Sequence, residues 1–240
     1  MRAILLDIEG TTTPVSFVHS VLFPFAGNKV REFVRQRGLE IQPEIAQLRG
    51  EHAEDFNEGN YRQIFNESCG DSVSAYLQFL IDIDRKSPPL KSIQGKIWQA
   101  GYESGELVSQ IYDDVPPALR KWKSEGKTVS IYSSGSALAQ KLIFKYSEHG
   151  DLTEYIDTYF DTDVGHKRDP QSYQTVATEL GQLPKDVLFL SDVGEELDAA
   201  RISQMKTVLV NRQNDASELP DAGHQLIRTF DELTGTSDSK

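Results

Sequence analysis

The chain has 240 residues, 38% of them hydrophobic, and a formal net charge of −12. This length and composition suffice for one large domain, or for a domain with an insertion, around a full apolar core. The acidic excess argues against nucleic acid and against an anionic membrane as partners, because both are themselves negatively charged.

The first predicted element is a strand over residues 2–6 that stops abruptly at a carboxylate. Asp7 follows the apolar run, Glu9 comes two positions later, and a glycine and three threonines continue the sequence. We expect a polar loop over residues 7–17, with Pro14 preventing a helix. Taken alone, such a sequence is most often the polar end of a strand. It also delivers two carboxylates to a sheet edge, where a hard cation and an anionic substrate can bind.

A helical block is predicted between residues 18 and 105. Apolar residues recur at helical spacing from Val18 onwards, Pro24 marks a break or kink, and Gly38 marks a stop. Residues 41–102 contain charged, helix-like stretches and no convincing strand. We therefore expect several short helices inserted after the first strand.

Beyond residue 105 the pattern alternates between strands and amphipathic helices. Ser136 is predicted to cap one helix, and Asp169 with Pro170 to begin another. Such alternation predicts a mainly parallel sheet covered by helices on both faces. The predicted strands cover residues 128–132, 158–160, 187–190 and 207–210, with a last strand or packing segment at 224–230 and a loose polar tail from Thr234.

These patterns together predict an α/β fold whose core is interrupted by an all-helical cap. The core is assigned to residues 1–17 and 106–240, and the cap to residues 18–105. An insertion of this kind follows from the position of the helical block, which separates the first strand from all the others.

Two of the later strands also end in residues suited to a catalytic site. Ser133 and Ser134 follow one strand and precede a helix, while Ser191 and Asp192 follow another. Lys167 lies in a loop just ahead of a further helix. Because the carboxyl ends of parallel strands share one edge of a sheet, we expect these side chains to meet the carboxylates after the first strand.

Each of these residues alone has a simpler explanation. Ser133 or Ser136 can be only a helix cap, Lys167 a solvated loop residue, and Asp192 the cap of the helix that follows it. Their joint occurrence, each at the end of an apolar strand or the start of a helix, favours a site for phosphoryl transfer.

The residue types suit that chemistry. Asp7 and Asp192, with the backbone near Glu9, can hold Mg²⁺ through oxygen ligands, and Asp7 can attack phosphorus to form an aspartyl-phosphate. Ser133 Oγ, the Ser134 amide and the helix dipole can bind phosphate oxygens. The ammonium of the loop lysine can neutralise the developing charge and keep the nucleophile ionised.

The order of these motifs resembles that of a large enzyme group. The residues concerned are Asp7, Glu9, Thr11, Ser133, Lys167 and Asp192. The chain resembles the haloacid dehalogenase superfamily of phosphohydrolases over its whole length. The resemblance implies a Rossmann-like parallel-sheet core, with the helical block as the cap. Most phosphatases of that superfamily carry Asp where this chain has Glu9.

Five stretches near the predicted site carry a more specific resemblance. They are residues 7–12, 16–18 with 22–24, 132–136, 165–167 and 190–193. They resemble the enolase-phosphatase family of methionine salvage, whose members are typically monomeric and use Mg²⁺. That family enolises 2,3-diketo-5-methylthiopentyl-1-phosphate and then removes phosphate to give the acireductone 1,2-dihydroxy-3-keto-5-methylthiopentene. The resemblance implies one Mg²⁺ per chain, a small phosphorylated diketone as substrate, and a monomer.

Roles follow from the resemblance position by position. The implied roles are Asp7 as nucleophile and metal ligand, Glu9 as metal ligand and acid/base candidate, Asp192 as metal ligand, Ser133 and Ser134 as phosphate contacts, and Lys167 as the catalytic phosphate-binding lysine. The longer side chain of Glu9, compared with Asp, motivates the hypothesis that it is the base for enolisation.

Four further residues are weaker candidates. Glu196 lies just beyond the predicted metal ligand of the last motif. Phe17, His19 and Phe23 lie near the predicted junction of core and cap. There they line a lid over the thioether end of the substrate or, in the case of the two phenylalanines, pack the interior of the cap.

Three rival functions remain open. Another capped phosphomonoesterase or phosphomutase would use the same scaffold. A phospho-accepting signalling domain also places Asp, Ser or Thr, and Lys on a parallel sheet, but it expects about 120 residues and a central phosphoacceptor. The third rival is a non-catalytic binding protein.

The cellular location is predicted from what the sequence lacks. The single cysteine, Cys69, excludes an internal disulfide and is interpreted as a buried or incidental thiol. No stretch approaches a membrane span, and the apolar start is too short for a signal peptide. We therefore expect a reduced, cytoplasmic environment.

Overall fold

One parallel sheet organises the part of the chain that the structure describes. The structure is a computed structural model that describes residues 1–212 and 223–233. The strands in these ranges are β1 Ala3–Leu6, β2 Thr128–Tyr132, β3 Thr158–Phe160, β4 Val187–Ser191, β5 Lys206–Val210 and β6 Gln225–Ile227. These six strands lie in the order β3-β2-β1-β4-β5-β6, with every neighbouring pair parallel. The predicted α/β class is thereby confirmed.

Helices connect the strands and fill the predicted insertion. Within the described ranges, none is both long and apolar enough to cross a membrane. The helices are α1 Val15–Phe17, α2 Phe23–Arg37, α3 Gln42–Glu58, α4 Gly70–Asp82, α5 Pro88–Glu103, α6 Val115–Ser124, α7 Ala137–Lys145, α8 Pro170–Glu179 and α9 Gly194–Ile202.

The chain divides into two compact units. The first comprises Met1–Val18 and Val108–Lys240 and contains the sheet, whereas the second comprises His19–Leu107 and contains α2 to α5. The second unit therefore starts one residue and ends two residues later than the insertion expected from the sequence. That it acts as a cap stays a prediction.

β1 and β4 lie in the middle of the sheet and are buried on both faces. Their sequences are apolar because helices cover both faces of the sheet, so side chains on either face are buried. Leu6 pairs in register with Leu190 on one side and with Ile131 on the other. The residues at the next position, Asp7 after β1 and Ser191 at the end of β4, therefore lie at the same edge.

Two predicted helix starts are confirmed. Ser136 Oγ accepts a hydrogen bond from the Ala139 amide at 3.3 Å, which caps α7. Asp169 Oδ1 accepts from the Gln171 amide at 2.9 Å, and Pro170 is the first residue of α8. In both cases the side-chain oxygen satisfies an amide that has no partner within the helix.

The segment around Pro14 differs from the prediction of a loop that reaches residue 17. Pro14 directly precedes the short helix α1. Its φ of −58° is compatible with a helix start, so the proline does not prevent this helix. A π-helical turn, Val18–Leu22, follows and continues into α2. Pro24 lies in the first turn of α2, where its missing N–H costs no hydrogen bond, so the predicted break is a change of helix type.

Two smaller predictions concern other regions. Cys69 is exposed and immediately precedes α4, so of the two alternatives the buried thiol is wrong and the incidental thiol stays a prediction. The tail from Thr234 lies outside the described residues.

Candidate active site

Asp7 occupies the first position beyond β1 and is 5% exposed. The Asp7 amide donates to the Leu190 carbonyl at 3.0 Å, which continues the pairing with β4 past the end of the strand. Asp7 Oδ1 accepts hydrogen bonds from the Ile8 amide at 2.8 Å and from Lys167 Nζ at 2.7 Å. One carboxylate oxygen is therefore held by two donors, and the side chain has a fixed orientation.

Lys167 lies between two carboxylates. Its ammonium nitrogen is 2.7 Å from Asp7 Oδ1 and 2.6 Å from Glu196 Oε2. Burial alone would lower the pKa of Lys167, but the charges and hydrogen bonds of the two carboxylates outweigh burial and raise it. Tyr173 fixes the backbone of the lysine, because its hydroxyl donates to the Lys167 carbonyl at 2.7 Å. Lys167 is therefore a charged residue of the site and not a solvated loop lysine.

Ser191 and Glu196 complete this polar cluster. Ser191 Oγ lies 3.3 Å from Asp7 Oδ2 and 3.1 Å from Glu196 Oε2, and it accepts from the Val193 amide at 3.1 Å. A hydroxyl carries one proton, so Ser191 donates to one of the two carboxylates at a time. Burial and the charge of Asp7 raise the pKa of Glu196, while the lysine opposes that shift.

Asp192 has the features expected of a cation ligand. Burial, and next the charge of Asp7, raise the pKa of Asp192 to about 7. Its Oδ1 atom is buried and has no hydrogen-bond partner among the described residues. A buried carboxylate oxygen without a partner is costly, and a divalent cation would satisfy it. Asp7 and Asp192 therefore fit Mg²⁺.

The predicted ligand set is only partly brought together. Among the described residues, no three Asp, Glu, His or Cys side chains cluster closely enough to hold a metal ion. The carboxylate of Glu9 thus does not join those of Asp7 and Asp192 in such a group. Backbone carbonyls and water are ordinary ligands of Mg²⁺ and can supply the remaining positions.

The loop after Asp7 is tightly wound. The amides of Thr11, Thr12 and Thr13 all lie within hydrogen-bond distance of the Ile8 carbonyl, at 3.2, 2.9 and 2.8 Å. Gly10 has a φ of +70°, and a Cβ atom at this position would overlap the carboxylate of Asp192. Glycine is required here by its backbone conformation and by close packing against the proposed ligand.

The two predicted phosphate-binding serines lie at the end of β2, beside β1. Ser133 is half-buried, its amide donates to the Phe160 carbonyl at 3.1 Å, and its Oγ accepts from the Gly135 amide at 3.2 Å. Ser134 is exposed. Both precede the N-terminus of α7, where the helix dipole favours an anion.

The weaker candidates have different surroundings. Glu196 contacts Lys167 directly, which its position beyond the last motif did not reveal. Phe17 is buried in the first unit. His19 and Phe23 belong to the second unit, where their rings lie 5.8 Å apart and Phe23 packs 5.9 Å from Trp98.

Two supporting residues, Ser191 and Tyr173, received no role from the sequence. Ser191 was grouped with the polar residues at the strand ends, and the structure adds that its hydroxyl lies between Asp7 and Glu196. Tyr173 belongs to the apolar stripe of α8, and its hydroxyl partner is a backbone carbonyl. Every residue has a backbone carbonyl, so the sequence does not show which one the Tyr173 hydroxyl will meet.

Comparisons with known proteins agree on one family. A model of haloacid dehalogenase-like hydrolases matches residues 1–203. The enolase-phosphatase E1 of Leptospira borgpetersenii is 47% identical over 230 residues, which cover 95% of this chain and 96% of that protein. The enolase-phosphatase E1 of Drosophila pseudoobscura pseudoobscura is 41% identical over 238 residues, covering 97% and 94%. A crystal structure of the UTR4 protein from Saccharomyces cerevisiae superposes with a TM-score of 0.78 at 36% identity, covering 95% and 98%.

Proposed function

The chain belongs to the haloacid dehalogenase-like hydrolases and, within them, to the enolase-phosphatase E1 family, and we propose that Asp7 is the nucleophile of its reaction. As a member of that family the protein is an acireductone synthase. It converts 2,3-diketo-5-methylthiopentyl-1-phosphate to 1,2-dihydroxy-3-keto-5-methylthiopentene and phosphate. The observation that carries the assignment of the site is the buried group formed by Asp7, Lys167 and Glu196 at the end of β1.

The geometry of Asp7 supports its proposed role in phosphoryl transfer. Oδ1 is fixed by Lys167 and the Ile8 amide, so Oδ2 is the oxygen for attack on phosphorus. A bond forms between this oxygen and phosphorus while the bond from phosphorus to the substrate oxygen breaks, and the leaving oxygen takes up a proton from solvent. Water then attacks the phosphorus of the aspartyl-phosphate and gives up a proton, which frees phosphate and restores the carboxylate.

Lys167 is assigned the binding of the phosphate and the neutralisation of its charge. The ammonium is buried and paired with two carboxylates, so its charge is oriented before substrate arrives. Ser133, Ser134 and the N-terminus of α7 are assigned the remaining phosphate oxygens, since they lie beside β1 at the same edge.

Mg²⁺ is the proposed cofactor, with one ion per chain. Asp7, Asp192 and the backbone carbonyl of Glu9 would hold it, and the unpartnered Oδ1 of Asp192 supports this placement. When bound, the ion supplies positive charge next to the anionic oxygens of the substrate.

Enolisation is assigned to Glu9 as the base. The step moves a proton from the carbon next to a carbonyl to the Glu9 carboxylate, and the carbonyl oxygen takes up a proton from solvent to give the enol. Support comes from the position of Glu9, two residues after the nucleophile in the loop that packs on Asp192.

The proposal is tested with purified protein, Mg²⁺ and the diketo phosphate. We expect release of one phosphate per substrate and formation of the enediol. Phosphate release without enol formation would reduce the assignment to a general phosphomonoesterase, and the absence of both would reject it.

Asp7→Asn provides the matched test of the nucleophile. We expect this variant to lose phosphate release while it keeps its fold, because Lys167 retains Glu196 as a partner. Asp163→Asn is the control, since it removes the same charge from an exposed side chain and should behave like the wild type.

The cellular setting is part of the proposal. We propose a cytoplasmic monomer that acts on a small phosphorylated diketone. Support comes from the single cysteine and from the family. Light scattering coupled to gel filtration measures the mass in solution, and a dimeric mass would overturn the monomer.

A further inference from the structure

Arg212 lies two residues beyond β5, and its guanidinium group is almost fully buried. Nε and Nη2 both donate to the Thr11 carbonyl, at 3.1 and 2.8 Å. Nη1 donates to Asp114 Oδ2 at 2.7 Å and to the Arg228 carbonyl at 3.0 Å. The planar fork therefore joins three segments that are far apart in the chain.

Two aromatic rings hold the guanidinium plane in place. Its Cζ atom lies 4.4 Å from the centre of the Tyr112 ring and 4.7 Å from that of Phe230. The Phe230 amide donates to Asp114 Oδ2 at 2.5 Å, so the counter-ion of Arg212 is also fixed. Arginine suits such a place, since it combines ring stacking with directed hydrogen bonds.

The contact with Thr11 is not needed to neutralise the buried charge. Asp114 already supplies the opposite charge. The paired bonds to Thr11 instead connect the guanidinium to the loop that follows Asp7. A neutral carbonyl held by two donors from one rigid group cannot shift without losing both bonds.

Thr11 lies directly after Gly10, which packs on the carboxylate of Asp192. The neighbouring carbonyl, that of Thr12, accepts a hydrogen bond from the Tyr112 amide at 3.1 Å. Tyr112 is also the ring that stacks on Arg212. Two successive carbonyls of the loop are thus anchored to one cluster.

We propose that Arg212 is a positioning residue for phosphoryl transfer. Its two hydrogen bonds to the Thr11 carbonyl hold the loop over residues 8–13 in the arrangement that places Asp7 beside Asp192. This inference rests on the proposed role of Asp7 as nucleophile. Displacement of a reacting group by about 1 Å can cost on the order of 100-fold in rate. Loss of the two hydrogen bonds to the Thr11 carbonyl should therefore lower kcat more than it raises KM.

Arg212→Lys is the decisive variant. Lysine keeps the positive charge for Asp114 but cannot make the two parallel bonds to Thr11. We expect kcat to fall about 30- to 100-fold, KM to change less than about threefold, and Tm to fall less than in Asp114→Asn. Arg228→Met is the control, because that side chain is exposed and only its backbone carbonyl contacts Arg212.

Asp114→Asn separates positioning from stability. This change weakens the ion pair but leaves the bonds from Arg212 to Thr11 possible, so we expect a lower Tm with a smaller loss of kcat than in Arg212→Lys. The opposite pattern, in which kcat follows Tm through both variants, would mean that Arg212 is only structural and would overturn the proposal.

Amide hydrogen exchange tests the loop without reference to activity. In Arg212→Lys we expect faster exchange in the peptide over residues 6–13 and unchanged exchange in the remaining sheet. Unchanged protection of this peptide, or a uniform increase throughout the first unit, would overturn the inference. A wild-type protein that releases no phosphate would reject the proposed function, and the exchange result would still decide whether Arg212 holds the loop.

Discussion

Lys167 Nζ lies 2.7 Å from Asp7 Oδ1, with both side chains less than 10% exposed. The same ammonium lies 2.6 Å from Glu196. We expect Lys167→Met to abolish measurable phosphate release and to destabilise the fold by about 3–5 kcal/mol at neutral pH, since the variant leaves two buried carboxylates without their countercharge. Urea denaturation and a phosphate assay measure the two effects.

The pH dependence of Lys167→Met has a defined sign. The folded-state pKa of the wild-type lysine is raised, so its contribution is present below its unfolded pKa and is lost only at higher pH. In the variant the Glu196 carboxylate, whose pKa is raised by burial and by the charge of Asp7, takes up a proton as the pH falls, so the loss of stability should be smaller at pH 5 than at pH 8. Lys185→Met, at an exposed position, is the control. An equal loss at both pH values would contradict the buried ion pair.

Asp192→Asn should stabilise the protein in the presence of EDTA, but only at high pH. The pKa of Asp192 is raised to about 7, so the ionised carboxylate weakens the folded state as the pH rises from its unfolded pKa towards 7. We expect the variant to be about 4 kcal/mol more stable than the wild type at pH 8.5 and nearly equal in stability at pH 4. Urea denaturation at the two pH values gives the difference, and a gain at pH 4 would contradict this cause. The variant should also lose stabilisation by added Mg²⁺.

Gly10→Ala tests close packing against Asp192. Gly10 and Gly126 have nearly the same φ, +70° and +73°, but an added Cβ overlaps Asp192 only at Gly10. Backbone strain alone should cost each alanine variant about 1–2 kcal/mol. We expect Gly126→Ala to keep full activity and Gly10→Ala to lose most phosphate release and to need more Mg²⁺. Equal behaviour of the two variants would show that strain alone matters.

Glu9→Ala should separate the two chemical steps. Removal of a general base commonly costs about 100- to 10,000-fold in rate, so we expect enediol formation to fall by this factor. Glu9→Asp should recover part of that loss, because it restores a carboxylate that is one methylene shorter. The enediol and phosphate are followed separately during one turnover. Full enolisation by Glu9→Ala would remove Glu9 as the base.

The sequence by itself determined the family, the parallel α/β class and the identity of the main polar residues. Apolar runs that end in Asp7, Ser133 and Asp192 are local signals, because a central strand must be apolar and must end where its backbone meets a polar edge. Helix caps such as Ser136 and Asp169 are equally local, since their partners lie within three residues.

Only the tertiary structure decided how the polar residues pair. Glu196 meets Lys167, and Arg212 reaches Thr11 across 201 positions of the chain. Such pairs depend on the strand order, which places β4 beside β1 and β5 beyond it. Periodicity records which face of an element is buried and contains no information about which distant carbonyl or carboxylate lies opposite. For that reason Glu196 gained importance only in the folded protein, and Arg212 had no signal in the sequence.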